Sequence, residues 1–339
     1  MKTTGITKSA AAALLAFSLA ACGTDTSVPP VQTAGTAEKK VYKVAIVKQL
    51  DHASLDEIAN AICAEFDALA EQNGVEIDYG SVYSGQNDQT TLQQIGSQAI
   101  ADGVDVIVPI ATLAAQTMTA AASDTKTPVV YAAISDPEAA QLTGLDYVTG
   151  TSDALNTELI IQMMFTRNSP IHKAGLLYSK SEANSAKPIA EAKKLLEENN
   201  IECIEANGNT NDEVIQAASS LIGQKVDVVF TPTDNVIMAA ELAIAPMFAE
   251  AGIPHYTGAD SFVRNGAFVT CGVNYTELGK RTADLAFEAV TRGMADMNDY
   301  YLMDGGIVTV NTETAEALGM NIEVLKDFGQ LNEVVTTEE

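Results

Sequence analysis

The feature that most constrains the fold of this chain is a regular alternation of strand-like and helix-like segments. Short runs rich in β-branched residues are followed by longer segments whose apolar residues recur every three or four positions. In the first half of the chain this order predicts strands at 41–47, 75–83, 104–110 and 128–133, and helices at 55–72, 88–100 and 112–122. Such an order is typical of a parallel sheet with right-handed crossovers.

The same order restarts after the segment GLDYVTGTSD at 144–153. The second array predicts strands at 172–178, 201–205, 226–231, 254–257, 267–273 and 306–310, and helices at 154–166, 186–199, 213–223, 235–251 and 275–292. Two arrays in series predict two doubly wound α/β lobes with parallel sheets. The chain is expected to cross between them at 144–153, near Val273 and near Met303, and several crossings form a multi-strand hinge. The predicted lobes are 41–149 plus 274–302 and 150–273 plus 303–339.

The first forty residues are expected to lie outside these lobes. Lys2 and Lys8 accompany a short apolar run that ends in Leu-Ala-Ala-Cys. About a dozen apolar residues are too few to cross a bilayer roughly 30 Å thick, but they suit the core of a signal peptide. The pattern resembles a bacterial lipoprotein signal over 1–21, with Cys22 as the lipidated residue, and an ordinary secretory signal is the alternative. Residues 22–40 are polar and are expected to form a flexible tether.

Charge and motif content argue against several classes of function. The chain has 19 Lys and Arg against 45 Asp and Glu, and its formal net charge of −26 repels nucleic acids and anionic lipid surfaces. The three cysteines after Cys22 match no zinc or redox spacing. The sequence contains no nucleophile elbow, phosphate loop or zinc-protease motif. We therefore expect a protein that is not an enzyme and that uses no cofactor and no metal ion.

Candidate binding residues follow the predicted strands, at the sheet edge where ligands of open α/β sheets bind. Helices start directly after most of these loops, and a helix N-terminus can hold an anion such as a carboxylate. Aspartates in the same loops can accept from an ammonium group, so the set suits a zwitterion. The predicted ligand-binding residues are Gln49, His52, Gln86, Thr112, Ser135, Asp136, Asn184, Thr233, Asp234, Asn235 and Asp260. Several of them are also good helix caps or turn formers.

Aromatic residues near the strand ends leave two interpretations open. The four tyrosines concerned are Tyr83, Tyr131, Tyr178 and Tyr256. They either form an aromatic wall beside the ligand or are ordinary core residues. The residues by themselves therefore favour an amino-acid-like ligand without choosing its side chain.

Seven short motifs carry a resemblance to a known family. They are His52–Asp56, Gln86–Leu92, Ile110–Gln116, Ser135–Pro137, Val148–Asp153, Pro232–Asn235 and Leu278–Thr282. With them the chain resembles, over Val41 to Met320, a substrate-binding lipoprotein of an ABC transporter. Within that group it is similar to the tryptophan/tyrosine uptake binding proteins. The resemblance implies the type I periplasmic-binding-protein fold, in which two lobes close on a small ligand, often an aromatic amino acid.

Together these observations predict a lipid-anchored protein on the extracytoplasmic face of the cell membrane. It is expected to capture a small ligand, an amino acid, between its lobes and to deliver it to an ABC permease and ATPase. We expect it to be a monomer that contacts the membrane only through its lipid. One alternative is a nucleoside or sugar ligand, because the amides of Gln86, Asn87 and Asn235 suit hydroxyl groups. The other is a surface enzyme that acts on a small metabolite.

Overall fold

The computed structural model describes residues 39–166 and 170–337. The predicted signal peptide, Cys22 and the tether up to residue 38 lie outside the described residues. Within the described ranges the strands are β1 (Val41–Lys48), β2 (Glu76–Asp78), β3 (Tyr83–Ser84), β4 (Val106–Ile110), β5 (Val129–Tyr131), β6 (Val148–Ser152), β7 (Lys173–Tyr178), β8 (Glu202–Asn207), β9 (Val228–Thr231), β10 (His255–Thr257), β11 (Val269–Gly272), β12 (Tyr301–Leu302), β13 (Ile307–Asn311) and β14 (Gln330–Val334). The helices are α1 (Ala53–Asn73), α2 (Gln89–Ala101), α3 (Thr112–Ala121), α4 (Thr157–Met164), α5 (Ala183–Glu198), α6 (Asn211–Gly223), α7 (Asn235–Glu250), α8 (Asp260–Arg264), α9 (Tyr275–Arg292) and α10 (Thr312–Leu318).

These strands form two sheets of seven strands each. The first has the order β12-β6-β5-β4-β1-β2, with β3 also paired to β1, and its described pairs are parallel. The second has the order β14-β13-β11-β10-β9-β7-β8, and β11 and β13 form an antiparallel pair within it. The predicted α/β class with two parallel-dominated sheets is confirmed. The lobe boundaries at residues 149/150, 273/274 and 302/303 stay a prediction.

The elements form where the sequence pattern places their apolar residues. In α1 the buried face includes Leu55, Ile58, Ile62 and Phe66, which recur at three- and four-residue steps. Gly74 ends this helix, as predicted, in the left-handed conformation at φ 65°, where its N–H donates to carbonyls of the last turn. All five residues of β4 are buried, as expected for a central parallel strand with helices on both faces.

The sequence patterns failed at short elements. The predicted strand 75–83 is wrong as a continuous strand, because Gly80 adopts a φ of 53° between β2 and β3. The prediction missed α8, α10 and β14. These elements are short, and a short element shows too few turns or alternations to display a period.

Three chemical properties can be read from the described residues: the state of the cysteines, the apolar length of the helices and the grouping of metal-binding side chains. Cys63, Cys203 and Cys271 are free thiols, half-buried or buried in the structure. Among the helices of residues 39–166 and 170–337, none has the length and apolar character needed to span a bilayer. In the same ranges no group of three His, Cys, Asp or Glu side chains is arranged to hold a metal ion.

Candidate ligand-binding site

A cavity lies where the carboxyl ends of strands from the two sheets approach each other. The space free of protein atoms there is about 350 Å³, a volume that includes open solvent at the mouth. Predicted residues contribute much of its wall, namely His52, Thr112, Ser135, Asn184, Thr233, Asp234 and Asn235. The remaining wall includes Leu55, Met238, Phe262, Tyr275 and Asp153. This is the edge of the sheets at which the sequence predicted a ligand.

Four predicted residues lie outside this wall. Gln49 is buried directly behind it, whereas Gln86 is exposed. Asp136 accepts from the N–H of Ala139 and pairs with Lys187 at the rim, with 3.2 Å between its Oδ2 and the lysine Nζ. Asp260 is engaged by the guanidinium of Arg264. The structure gives the positions of the predicted residues. Their contacts with a ligand stay predictions.

Two backbone positions in the wall are strained. Ala111 has φ 74° and ψ 164°, and Ala133 has φ 58°. Both line the cavity, and a side chain at positive φ is unfavourable by roughly 1–3 kcal/mol. Strain of this kind is concentrated at ligand sites, because the neighbouring structure holds the backbone in the shape that binding needs.

Two of the helices that begin at the cavity, α7 and α3, have partners for N–H groups of their first turns. Asp234 accepts from the N–H groups of Val236 and Ile237 at the start of α7. At the start of α3, the N–H of Leu113 donates to Gln49 Oε1 over 2.9 Å. These three N–H groups, which the sequence had suggested for a ligand carboxylate, are thus already bonded within the protein.

Asp153 lines the cavity but was not among the predicted ligand-binding residues. It is buried and accepts from Ser135 Oγ at 2.9 Å and from the Tyr275 hydroxyl at 3.0 Å. Burial raises the pKa of Asp153, and the hydrogen bonds from Ser135 and Tyr275 oppose that rise. The available signal was its position as the last residue of the motif at 148–153, directly after β6.

Two further polar atoms of wall residues are buried without a partner among the described residues. One is Oδ1 of Asn184, whose Nδ2 donates to the Thr233 carbonyl over 2.6 Å. The other is Nδ1 of His52, whose Nε2 lies 3.1 Å from Asn235 Oδ1. Burial lowers the pKa of His52 to about 4, so the imidazole is neutral near pH 7. A buried acceptor without a partner is unfavourable until a ligand supplies a donor.

None of the four tyrosines that lie near predicted strand ends lines the cavity. Tyr131 and Tyr256 are fully buried core residues, Tyr83 is exposed, and the hydroxyl of Tyr178 donates to Glu205. The aromatic side chains that line the cavity are Phe262 and Tyr275. Phe262 belongs to α8, the short helix that the sequence did not predict.

Side chains from the two halves touch across the cleft, so the described arrangement is closed. Gln49 Nε2 donates to Glu182 Oε1 over 2.6 Å, and Ser135 Oγ lies 3.0 Å from Thr233 Oγ1. The other cross-cleft contacts are Ser54 with Ser261, His52 with Asn235, Glu57 with Arg264 and Asp136 with Lys187. These six contacts among the described residues bring the two halves together around the cavity.

Comparison with protein families identifies what kind of protein carries such a cleft. The family model described as ABC transporter substrate binding protein matches residues 43–327. The chain belongs to this family. It is therefore an extracytoplasmic substrate-binding protein of an ABC transporter, as the sequence predicted. The chain is also 30% identical over 292 residues to a tyrosine-binding protein of Clostridioides difficile (strain R20291), covering 84% of this chain and 83% of that protein.

Solved structures support the same assignment. A complex with L-Trp from Streptococcus pneumonia is 26% identical and has a TM-score of 0.77, covering 86% of this chain and 100% of the other. A ligand-free, open substrate binding protein with adhesive properties from Clostridium difficile is 28% identical and has a TM-score of 0.62, covering 87% of this chain and 100% of the other. The fold predicted from the resemblance, that of type I periplasmic binding proteins, is confirmed.

Proposed function

We propose that the protein captures an aromatic amino acid, L-tyrosine or L-tryptophan, in the cavity between its two sheets and delivers it to an ABC permease. It acts by binding rather than by catalysis. The observation that carries this proposal is the composition of the cavity wall, which combines polar acceptors at one side with Phe262, Tyr275 and Met238. The names of the similar tyrosine-binding and L-Trp-bound proteins point to the same ligand class.

The polar groups of the wall match the charged ends of an amino acid. The carboxylate of Asp153 and the Oδ1 of Asn184 are acceptors for a ligand ammonium group. The hydroxyl groups of Thr112 and Thr233 are donors for a ligand carboxylate. The apolar side chains then surround the ligand ring, where an aromatic side chain gains most from leaving water.

The absence of tryptophan from the chain makes a direct binding assay possible. When L-tryptophan is excited at a wavelength that tyrosine does not absorb, the ligand alone emits, and its spectrum shifts when it enters an apolar cavity. Isothermal titration calorimetry with the twenty amino acids, D-glucose and adenosine would then rank ligands. We expect L-tyrosine or L-tryptophan to bind most tightly. Tighter binding of the sugar or the nucleoside would contradict the proposal.

Asp153→Asn tests the assignment of the ammonium partner. The substitution keeps the shape but removes the negative charge, so we expect the Kd for the amino acid to rise by about 10- to 100-fold. The matched control is Asp124→Asn, at an exposed aspartate remote from the cavity, which should bind like the wild type. Circular dichroism of both variants checks that they fold. Unchanged affinity in a folded Asp153→Asn protein would show that the ammonium group binds elsewhere.

We also propose that lipid on Cys22 holds the protein to the cell membrane. Support comes from the signal-like sequence over residues 1–21 and from the small residues before Cys22. Expression in a bacterium fed a radiolabelled fatty acid tests this point. We expect label in the wild type and none in Cys22→Ser, with the latter released from the membrane fraction. Equal labelling of the two proteins would contradict the proposal.

A further inference from the structure

A hydrogen-bonded network runs behind the cavity and crosses the cleft twice. The N–H of Leu113 donates to Gln49 Oε1, and Gln49 Nε2 donates to Glu182 Oε1 over 2.6 Å. The other oxygen of Glu182 accepts from Asn235 Nδ2, also over 2.6 Å, and Asn235 Oδ1 lies 3.1 Å from His52 Nε2. We name the four side chains of Gln49, Glu182, Asn235 and His52 the latch.

Two members of the latch, Gln49 and Glu182, lie outside the cavity wall. Gln49 follows β1 of the first sheet and is 1% exposed, and Glu182 precedes α5 beside the second sheet and is 5% exposed. Neither lines the cavity, whereas His52 and Asn235 do. The orientation of the Gln49 amide is fixed, because its oxygen accepts from a backbone N–H and its nitrogen must therefore face Glu182.

We propose that Gln49 and Glu182 are positioning residues that set ligand affinity without touching the ligand, because their hydrogen bond joins the two halves only while the cleft is closed. This inference rests on the proposed function of ligand capture by closure. Removing one partner of a buried hydrogen bond leaves the other partner unpaired and changes an equilibrium constant by roughly ten- to a hundredfold. A change in the closed population alters the apparent affinity by the same factor.

The charges around Glu182 make closure sensitive to pH. Asp234 is the charged neighbour of Glu182 on the same side of the cleft. Across the cleft, Glu182 meets the neutral amide of Gln49, which also contacts the amide of Asn87. His52 lies at the other end of the latch, next to Asn235. Burial, and then the charge of Asp234, raises the pKa of Glu182 to about 7. In an open cleft, water would return this pKa toward the ordinary value of 4.5. Closure therefore takes up a proton at Glu182, and a fall in pH through 7 favours the closed state.

His52 has the opposite effect in a lower range of pH. Burial lowers the pKa of His52 to about 4 in the closed cleft. The charge of Lys48 also lowers it, whereas those of Asp56 and Asp51 raise it. The pKa moves toward 6.5 when water reaches the ring. Closure must then expel a proton from His52, so a fall in pH from 6.5 toward 4 opposes the closed state. Because the two groups act in opposite directions, the affinity is expected to rise as the pH falls toward neutral and to gain little in acid, where His52 opposes closure.

The first experiment is calorimetric titration of Gln49→Leu with L-tyrosine and L-tryptophan. We expect the Kd to rise tenfold or more, with most of the change in the dissociation rate, because the latch must break before the ligand can leave. The control is Gln93→Leu, at an exposed glutamine of α2, which should bind like the wild type. Wild-type affinity in Gln49→Leu would overturn the inference.

The second experiment measures the same affinities across pH for the wild type and Glu182→Gln. The variant should lose the rise in affinity between about pH 8 and pH 6.5 and should weaken as the pH falls below 6.5, where His52 alone titrates. A purely structural role of Glu182 would shift all affinities and leave the shape of the profile unchanged. An unchanged shape would therefore overturn the inference.

A ligand-free measurement separates failure of the latch from failure of the proposed ligand. Small-angle X-ray scattering of the wild type and Gln49→Leu without ligand should show a larger radius of gyration for the variant. If neither aromatic amino acid binds the wild type, the proposed function fails and this scattering difference still tests the latch. Identical scattering curves for the two proteins would contradict a latch.

Discussion

At the scale of single residues, two aspartates at strand ends differ in the groups that they bind. Asp234, which the sequence nominated for the ligand, accepts four hydrogen bonds from the protein itself: from the N–H groups of Ser179, Val236 and Ile237, and from the Ser185 hydroxyl. Asp153, which was not among the predicted binding residues, accepts from the hydroxyl groups of Ser135 and Tyr275 and lines the cavity. Residue type and position after a strand could not separate a cap from a ligand contact, because both roles need an acceptor at the same edge of the sheet.

Asp234→Ala is expected to destabilise the protein by about 2–4 kcal/mol, since it leaves buried donors without an acceptor and removes a helix cap. Urea unfolding followed by circular dichroism measures the change in the free energy of unfolding. The comparison variant is Asp88→Ala, which removes an exposed cap of α2 that accepts from the N–H of Thr91 over 2.7 Å. Asp88→Ala should lower the free energy of unfolding clearly less than Asp234→Ala does. Equal losses in the two variants would mean that burial of the Asp234 cap has no added effect.

At the scale of elements, α1 and α9 pack closely because a glycine lets their backbones approach. A Cβ added at Gly279 of α9 would lie 2.7 Å from the carbonyl oxygen of Ile58 and 2.7 Å from Cβ of Ala61. A backbone atom cannot move aside as the end of a flexible side chain can. The exposed and buried faces of α1 and α9 are readable from sequence, but the distance between their axes depends on atoms of both helices.

Gly279→Ala should therefore destabilise the protein by about 1–3 kcal/mol, even though alanine favours the helix by about 1 kcal/mol over glycine. The matched control is Gly223→Ala at the end of α6, where an added Cβ meets no atom within 4 Å. That variant should be neutral or slightly more stable. Urea denaturation midpoints of both variants give the comparison, and a stabilised Gly279→Ala protein would contradict the close packing of α1 and α9.

At the scale of the whole molecule, the decisive property is the closed arrangement of the two sheets. Side chains meet across the cleft on both sides of the cavity, as in Ser54 with Ser261 and Ser135 with Thr233. The structural similarity is also greater to the L-Trp complex than to the ligand-free open protein, although the sequence identities are nearly equal. A lower TM-score to the open protein is expected when the two halves of this chain are closed on each other.

The double substitution Ser54→Cys and Ser261→Cys should lock this closed state, because the two hydroxyl groups are in contact across the cleft. We expect a disulfide under oxidising conditions, a ligand retained through gel filtration, and release of that ligand on reduction. The single variant Ser54→Cys is the control, since it retains the natural thiols Cys63, Cys203 and Cys271. Ligand exchange at the wild-type rate in the oxidised double variant would contradict the closed arrangement.

The sequence by itself determined the α/β class, the two arrays of strands and the edge at which the site lies. Apolar periodicity is a local property, and helices as long as α1 and α9 display several turns of it. The carboxyl ends of parallel strands share one edge, so the loops that meet there could be read in order along the chain. The motifs were sufficient to indicate the family.

Only the tertiary structure decided which of those loop residues face the cavity, which cap a helix and which join the halves. Gln49 and Glu182 are 133 positions apart in the chain, and their contact depends on the angle between the two sheets. That angle results from the packing of many side chains from both halves, and no local pattern in the sequence encodes it. For the same reason, only the tertiary structure shows that Asp153 and Phe262 line the cavity.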